Sequence, residues 1–154
     1  MMNKKLFILS FLLFMILLVA GCSDKSMTSG KSSGTKATVF KSPLCGCCVG
    51  YSAYLEQQEF DIEIVSTTDM DAIKQRYNIP ENMESCHTTV VGNYFVEGHV
   101  PIEAVDRLLQ EKPQINGIAL PNMPAGTPGM PGVKRGTWTI YGLKDGQTEE
   151  FTKI

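Results

Sequence analysis

Five cysteines stand in this 154-residue chain, and three of them fall within four positions as Cys45-Gly46-Cys47-Cys48. Cys45 and Cys48 have the C-x-x-C spacing of a thiol-redox pair, where a helix N-terminus favours the thiolate through its partial positive charge. Cys47 is a further thiol that such redox chemistry does not use. A structural cystine usually joins distant segments, so three thiols at one turn make a poor staple. Crowded soft donors suit a soft ion better: thiolate clusters select Cu(I), zinc or iron–sulfur species. A fourth thiol, Cys86, sits in Ser85-Cys86-His87-Thr88, with the imidazole of His87 beside it.

Residues 37–41 form a short β-prone segment that Ser42-Pro43-Leu44 ends, since Pro cannot continue a central strand. Residues 47–59 favour a helix, with Val49 and Ala53, and Tyr51 and Leu55, four apart, despite Gly50 near its start. Residues 61–66 read as a strand through Ile62, Ile64 and Val65. Residues 69–77 read as a helix through Met70, Ile73 and Tyr77, closed by Asn78 and Pro80. A hairpin over 88–91 and 94–96 turns at Gly92-Asn93. Pro101 then opens a third helix carrying Ile102, Val105, Leu108 and Leu109.

The order β-α-β-α-β-β-α is that of a thioredoxin-like domain, so the expected class is α/β. A loop over 121–132, rich in Pro, Gly and Met, follows, and then a terminal β-hairpin over 137–141 and 148–152 around Asp145-Gly146. Trp138, Tyr141 and Phe151 read as packing for that hairpin. In the thioredoxin arrangement the start of the third strand faces the turn after the first. Cys86 is therefore expected to complete a four-thiol site. His87 or Thr88 occupies the place of the proline that thioredoxins use there, which argues against ordinary thioredoxin substrate docking.

Ahead of the domain, Lys4 and Lys5 precede an apolar run from Leu6 to Ala20, short for a spanning stop-transfer helix and suited to a secretory signal. Val19-Ala20-Gly21-Cys22 resembles the lipobox of bacterial lipoproteins, which makes Cys22 the lipidated first residue of the mature chain. The expected organisation is a signal peptide over 1–21, a lipidated Cys and flexible tether over 22–36, and the folded domain over 37–154. This places the domain outside the cytoplasm, anchored to a membrane and facing the periplasm, where disulfides form. The balance of 14 basic against 16 acidic residues offers no basic stripe for nucleic acid. The length excludes a large multidomain enzyme. No Ser/His/Asp set, phosphate loop or paired-carboxylate motif stands out, so catalytic residues are unassigned.

Four motifs carry a more specific resemblance: Cys45-Gly46-Cys47-Cys48, Ser85-Cys86-His87-Thr88, Glu97-Gly98-His99-Val100-Pro101, and the loop from Pro121-Asn122-Met123 through Thr127-Pro128-Gly129-Met130. In order and character the chain resembles the CopG-like family of extracytoplasmic copper-resistance proteins over residues 37–154. The resemblance implies a thioredoxin-like fold with Cys45, Cys47, Cys48 and Cys86 as copper ligands. It also implies periplasmic copper handling, including Cu(I)/Cu(II) conversion, alongside other periplasmic copper-handling proteins. His87 is either a further ligand or structural. His99 caps the third helix, bonds a loop carbonyl, or joins the metal. Met123 and Met130 either hand Cu(I) inward through their thioethers or fill an irregular gap in the core. Two other readings compete: a thiol:disulfide oxidoreductase using Cys45 and Cys48 with Cys86 as resolving thiol, and a structural zinc domain with four cysteine ligands.

Overall fold

Short runs of β-branched and aromatic residues build a seven-stranded mixed sheet, seen in a computed structural model that describes residues 34–154. The expected signal segment, the lipobox Cys22 and nearly all of the expected tether lie outside the described residues. The elements are β1 (Lys36–Lys41), α1 (Gly46–Gln57), β2 (Asp61–Ser66), α2 (Met70–Arg76), β3 (His87–Val91), β4 (Tyr94–Glu97), α3 (Ile102–Glu111), β5 (Gly117–Ala119), β6 (Thr139–Lys144) and β7 (Gln147–Lys153). A single 3₁₀ turn, Glu81–Met83, stands between α2 and β3.

The strands lie in the order β2-β1-β3-β4-β5-β6-β7. β1 runs parallel to β2 and antiparallel to β3, and β4 pairs antiparallel with β3 and parallel with β5. Strand alternation sends neighbouring residues to opposite faces. One face packs Ala37, Val91, Val96 and Ile118 against Tyr51 and Leu55 of α1 and Ala104, Val105 and Leu108 of α3. The other gathers Phe95, Ala119 and Leu143 with Ile79 and Met83. Asp69 is the N-cap of α2, accepting from the Ala72 N–H at 3.0 Å, one position before the helix proper.

The expected α/β class and the first seven elements occur in the expected order. Two details differ. The folded part starts before residue 37: Lys36 pairs with Asp61, whose N–H donates to the Thr35 carbonyl at 3.0 Å, so the neighbouring strand orders the end of the expected tether. The second is an extra strand that continues the sheet into the terminal hairpin. The three-residue β5, too short to show a period in sequence, joins β4 to β6 and carries the hairpin into the same sheet. Trp138 and Phe151 pack on the first core face and Tyr141 on the second.

Candidate metal centre

β1 ends beside the centre, and a turn in which the Cys45 N–H donates to the Ser42 carbonyl at 3.0 Å redirects the chain into α1. Cys45 is the N-cap of α1 and makes no side-chain capping bond, so Cys47 and Cys48 occupy the first turn of a helix whose leading N–H groups lack a cap side chain. β3 lies antiparallel to β1 with His87 opposite Lys41. That register carries Cys86, immediately before β3, to the turn that bears the other thiols.

The four sulfur atoms lie within 4.8 Å of one another. Cys45 and Cys48 are joined as a disulfide, with Cα atoms 5.5 Å apart, while Cys47 and Cys86 are free thiols. Each sulfur of the disulfide has a free thiol beside it. Cys47 Sγ is 3.5 Å from Cys45 Sγ, Cys86 Sγ is 3.5 Å from Cys48 Sγ, and the two free sulfurs are 3.8 Å apart. Cys48 is fully buried, whereas Cys45, Cys47 and Cys86 are half-buried and Leu44 beside them is almost fully exposed. The sulfur cluster therefore opens to solvent at the turn.

Cys86 is also the meeting point of two imidazoles. His87 Nδ1 lies 3.4 Å and His99 Nε2 3.2 Å from its sulfur, and both histidines are fully buried. The rings meet edge to face at 4.9 Å, and Tyr51 covers them with its ring 4.7 Å from His87 and 5.3 Å from His99. The Tyr51 hydroxyl donates to the Val100 carbonyl at 2.9 Å. His99 Nδ1 lies 2.6 Å from the Pro128 carbonyl, which can only accept, so Nδ1 carries the proton and the Nε2 lone pair faces Cys86. Holding the far ring nitrogen on a carbonyl is how proteins orient a histidine for a metal. Both imidazoles are pushed below the usual histidine range, chiefly by burial, with His99 and Lys74 adding to the effect on His87. Burial, and then Cys47, push the Cys86 thiol up to about 12.

Cys45, Cys47, Cys48, Cys86 and His87 thus come together. His99 comes as close to Cys86 as His87 does. It bonds a loop carbonyl, one of the roles open to it from sequence, and does not cap α3, whose N-cap is Pro101. The loop carrying Met123 and Met130 reaches the centre through Pro128. It also reaches it through Gly129, whose φ is +77°. A side chain there would meet the Tyr51 backbone nitrogen at 2.5 Å, so only glycine permits the contact with α1. Met123 is exposed and Met130 half-buried.

The fold that carries this Cys/His cluster has counterparts among solved structures. Two solved structures titled "Copper resistance protein copG", Form 1 and Form 2, are each 35% identical to this chain over 79% of it. The match covers 98% and 99% of theirs, with TM-scores of 0.72 and 0.73. Residues 83–130 match a family described as "Protein of unknown function, DUF411". No curated protein matches the chain. The chain belongs to the CopG family.

Proposed function

We propose that this protein is an extracytoplasmic copper-binding protein of copper resistance, tethered to a membrane by a lipid on Cys22 and holding Cu(I) among Cys45, Cys47, Cys48 and Cys86. The observation that carries the reading is the convergence of three other sulfurs and two neutral imidazoles on Cys86. Thiolates match Cu(I), and imidazole also accepts Cu(II), so the donor set suits both oxidation states of copper. His87 and His99 extend the sulfur cluster on its buried side. Met123 and Met130 lie on the loop above and offer thioethers to an incoming ion. Kinship with the CopG structures supports the choice of copper.

The Cys45–Cys48 disulfide gives the centre two states. As a disulfide these sulfurs are not thiolate ligands. A dithiol reductant supplies two electrons and two protons to open it, and Cu(I) then displaces the thiol protons. In the opposite direction, oxidation of the two thiolates to the disulfide releases two electrons, enough to reduce two Cu(II) to two Cu(I). The same disulfide, with Cys86 Sγ 3.5 Å from Cys48 Sγ, favours a second reading, a thiol:disulfide oxidoreductase in which Cys86 is the resolving thiol.

Elemental analysis of protein from copper-supplemented cells, before and after reduction of the disulfide, separates these readings. The copper reading expects copper bound by the reduced form and little by the oxidised one. Zinc in place of copper supports a structural zinc domain. Absence of both metals, together with turnover of a dithiol substrate, supports the oxidoreductase.

A further inference from the structure

Beneath the centre, on the opposite face of the sheet from His87, lies a fully buried ion pair. The Lys74 ammonium of α2 donates to Glu97 Oε1 of β4 at 2.5 Å, and neither side chain is more than 6% exposed. Glu97 accepts two further bonds. The Ser85 N–H reaches Oε1 at 2.5 Å and the Thr88 hydroxyl reaches Oε2 at 2.6 Å. Ser85 and Thr88 are the residues on either side of Cys86-His87, so one carboxylate grips the chain at both ends of the dipeptide that presents a thiol and an imidazole.

The next residues complete the device. Gly98 has φ +80°, and a Cβ there would lie 2.7 Å from both the Leu120 carbonyl and Ser85 Oγ, so the absence of a side chain lets this strand end close on Ser85. Its N–H donates to the His87 carbonyl at 3.1 Å. His99 then enters from the far side with Nε2 on Cys86. Burying an ion pair adds little net stability compared with apolar residues of the same volume. Three donors converging on one carboxylate do fix the position of whatever they belong to.

We propose that Glu97 is a positioning residue of the metal centre, clamping the backbone on both sides of Cys86-His87 with Lys74 as its countercharge. The proposal rests on reading the centre as a copper site. Its role is to hold Cys86 and His87 in register with His99, as outer partners hold metal ligands elsewhere.

The test compares Glu97→Gln, Thr88→Val and Thr88→Ser with Tyr94→Phe, which removes a hydroxyl bond to the Pro113 carbonyl in another part of the fold. Cu(I) affinity of the reduced proteins is measured against a chromophoric chelator, alongside thermal unfolding. Glu97→Gln should weaken Cu(I) by roughly 10–100-fold, the usual cost of losing an outer partner. Thr88→Val should show a smaller loss that Thr88→Ser, keeping the hydroxyl, restores. Tyr94→Phe should stay within about twofold of the wild type. If Glu97→Gln does not fold, the Thr88 pair decides. Variants that unfold earlier yet bind Cu(I) like the wild type would overturn the proposal, since a merely structural bond predicts that result. Should the wild type itself bind no Cu(I), the copper reading fails. Amide exchange over residues 85–87 of the metal-free protein then decides the clamp: faster exchange in Thr88→Val than in Tyr94→Phe supports it, and equal exchange overturns it.

Discussion

On one side of Cys86, three sulfurs crowd the first turn of α1, with Cys45 and Cys47 half-buried at the turn and Cys48 buried behind them; on the other, two imidazoles lie fully buried beneath Tyr51. The sulfur side is made by consecutive residues and holds a disulfide, so its donors change with redox state. The imidazole side is made by strand register, which places His87, and by a loop carbonyl, which orients His99. One side supplies chemistry and access. The other supplies rigidity, and Cys86 belongs to both.

Removing the shared atom should therefore have the largest effect. Cys86→Ser replaces a soft anionic donor with a hard neutral one, and copper retention in the reduced protein should fall more than for any other single cysteine variant. The loss should exceed the roughly 10–100-fold typical of an outer-partner change. Copper-to-protein ratios for the four Cys→Ser variants, with circular dichroism to monitor folding, check this. An equal fall for Cys47→Ser would place the weight on the sulfur side alone.

Acid should weaken the imidazole side of the metal-free protein. His87 and His99 are held below their ordinary value of 6.5, so below that pH the unfolded chain binds protons that the folded chain excludes. Their contribution to stability is full above about pH 6.5 and is lost as the pH falls from there. Denaturant unfolding should show stability falling between pH 7.5 and pH 5, and falling less in His87→Gln than in the wild type. A flat profile that becomes no steeper in the wild type than in His87→Gln would remove these histidines from the account.

The smallest effect expected comes from Tyr51→Phe, which keeps the ring over both imidazoles and loses only the bond to the Val100 carbonyl. It should cost about 1 kcal/mol of stability, read as a few degrees of Tm. Copper affinity should hardly change, because the ring contact remains.

The sulfur side was legible in the sequence because its chemistry is written in adjacent letters: Cys45-Gly46-Cys47-Cys48 at the end of a strand and the start of a helix. Cys86 was legible through topology, since the element order fixes which strand start returns to that turn. His99 was harder to place. No spacing ties it to the thiols, and only Gly98, at positive φ, and the Pro128 carbonyl bring Nε2 to Cys86. Glu97 gave no readable signal beyond its place in the Glu97-Gly98-His99 motif, because its partners come from two other segments, Lys74 from α2 and Ser85 and Thr88 from the stretch around Cys86-His87. β5 carries no sequence signal for a different reason: three residues show no period, and its pairing partners hold it in the sheet.

Copper K-edge X-ray absorption of the reduced wild-type protein loaded with Cu(I) tests the central claim most directly, because it reports the atoms bound to the metal. The account predicts a shell dominated by sulfur with an imidazole contribution that diminishes in His87→Gln and His99→Gln. A shell of oxygen and nitrogen alone, or one unchanged by reduction of the Cys45–Cys48 disulfide, would contradict it.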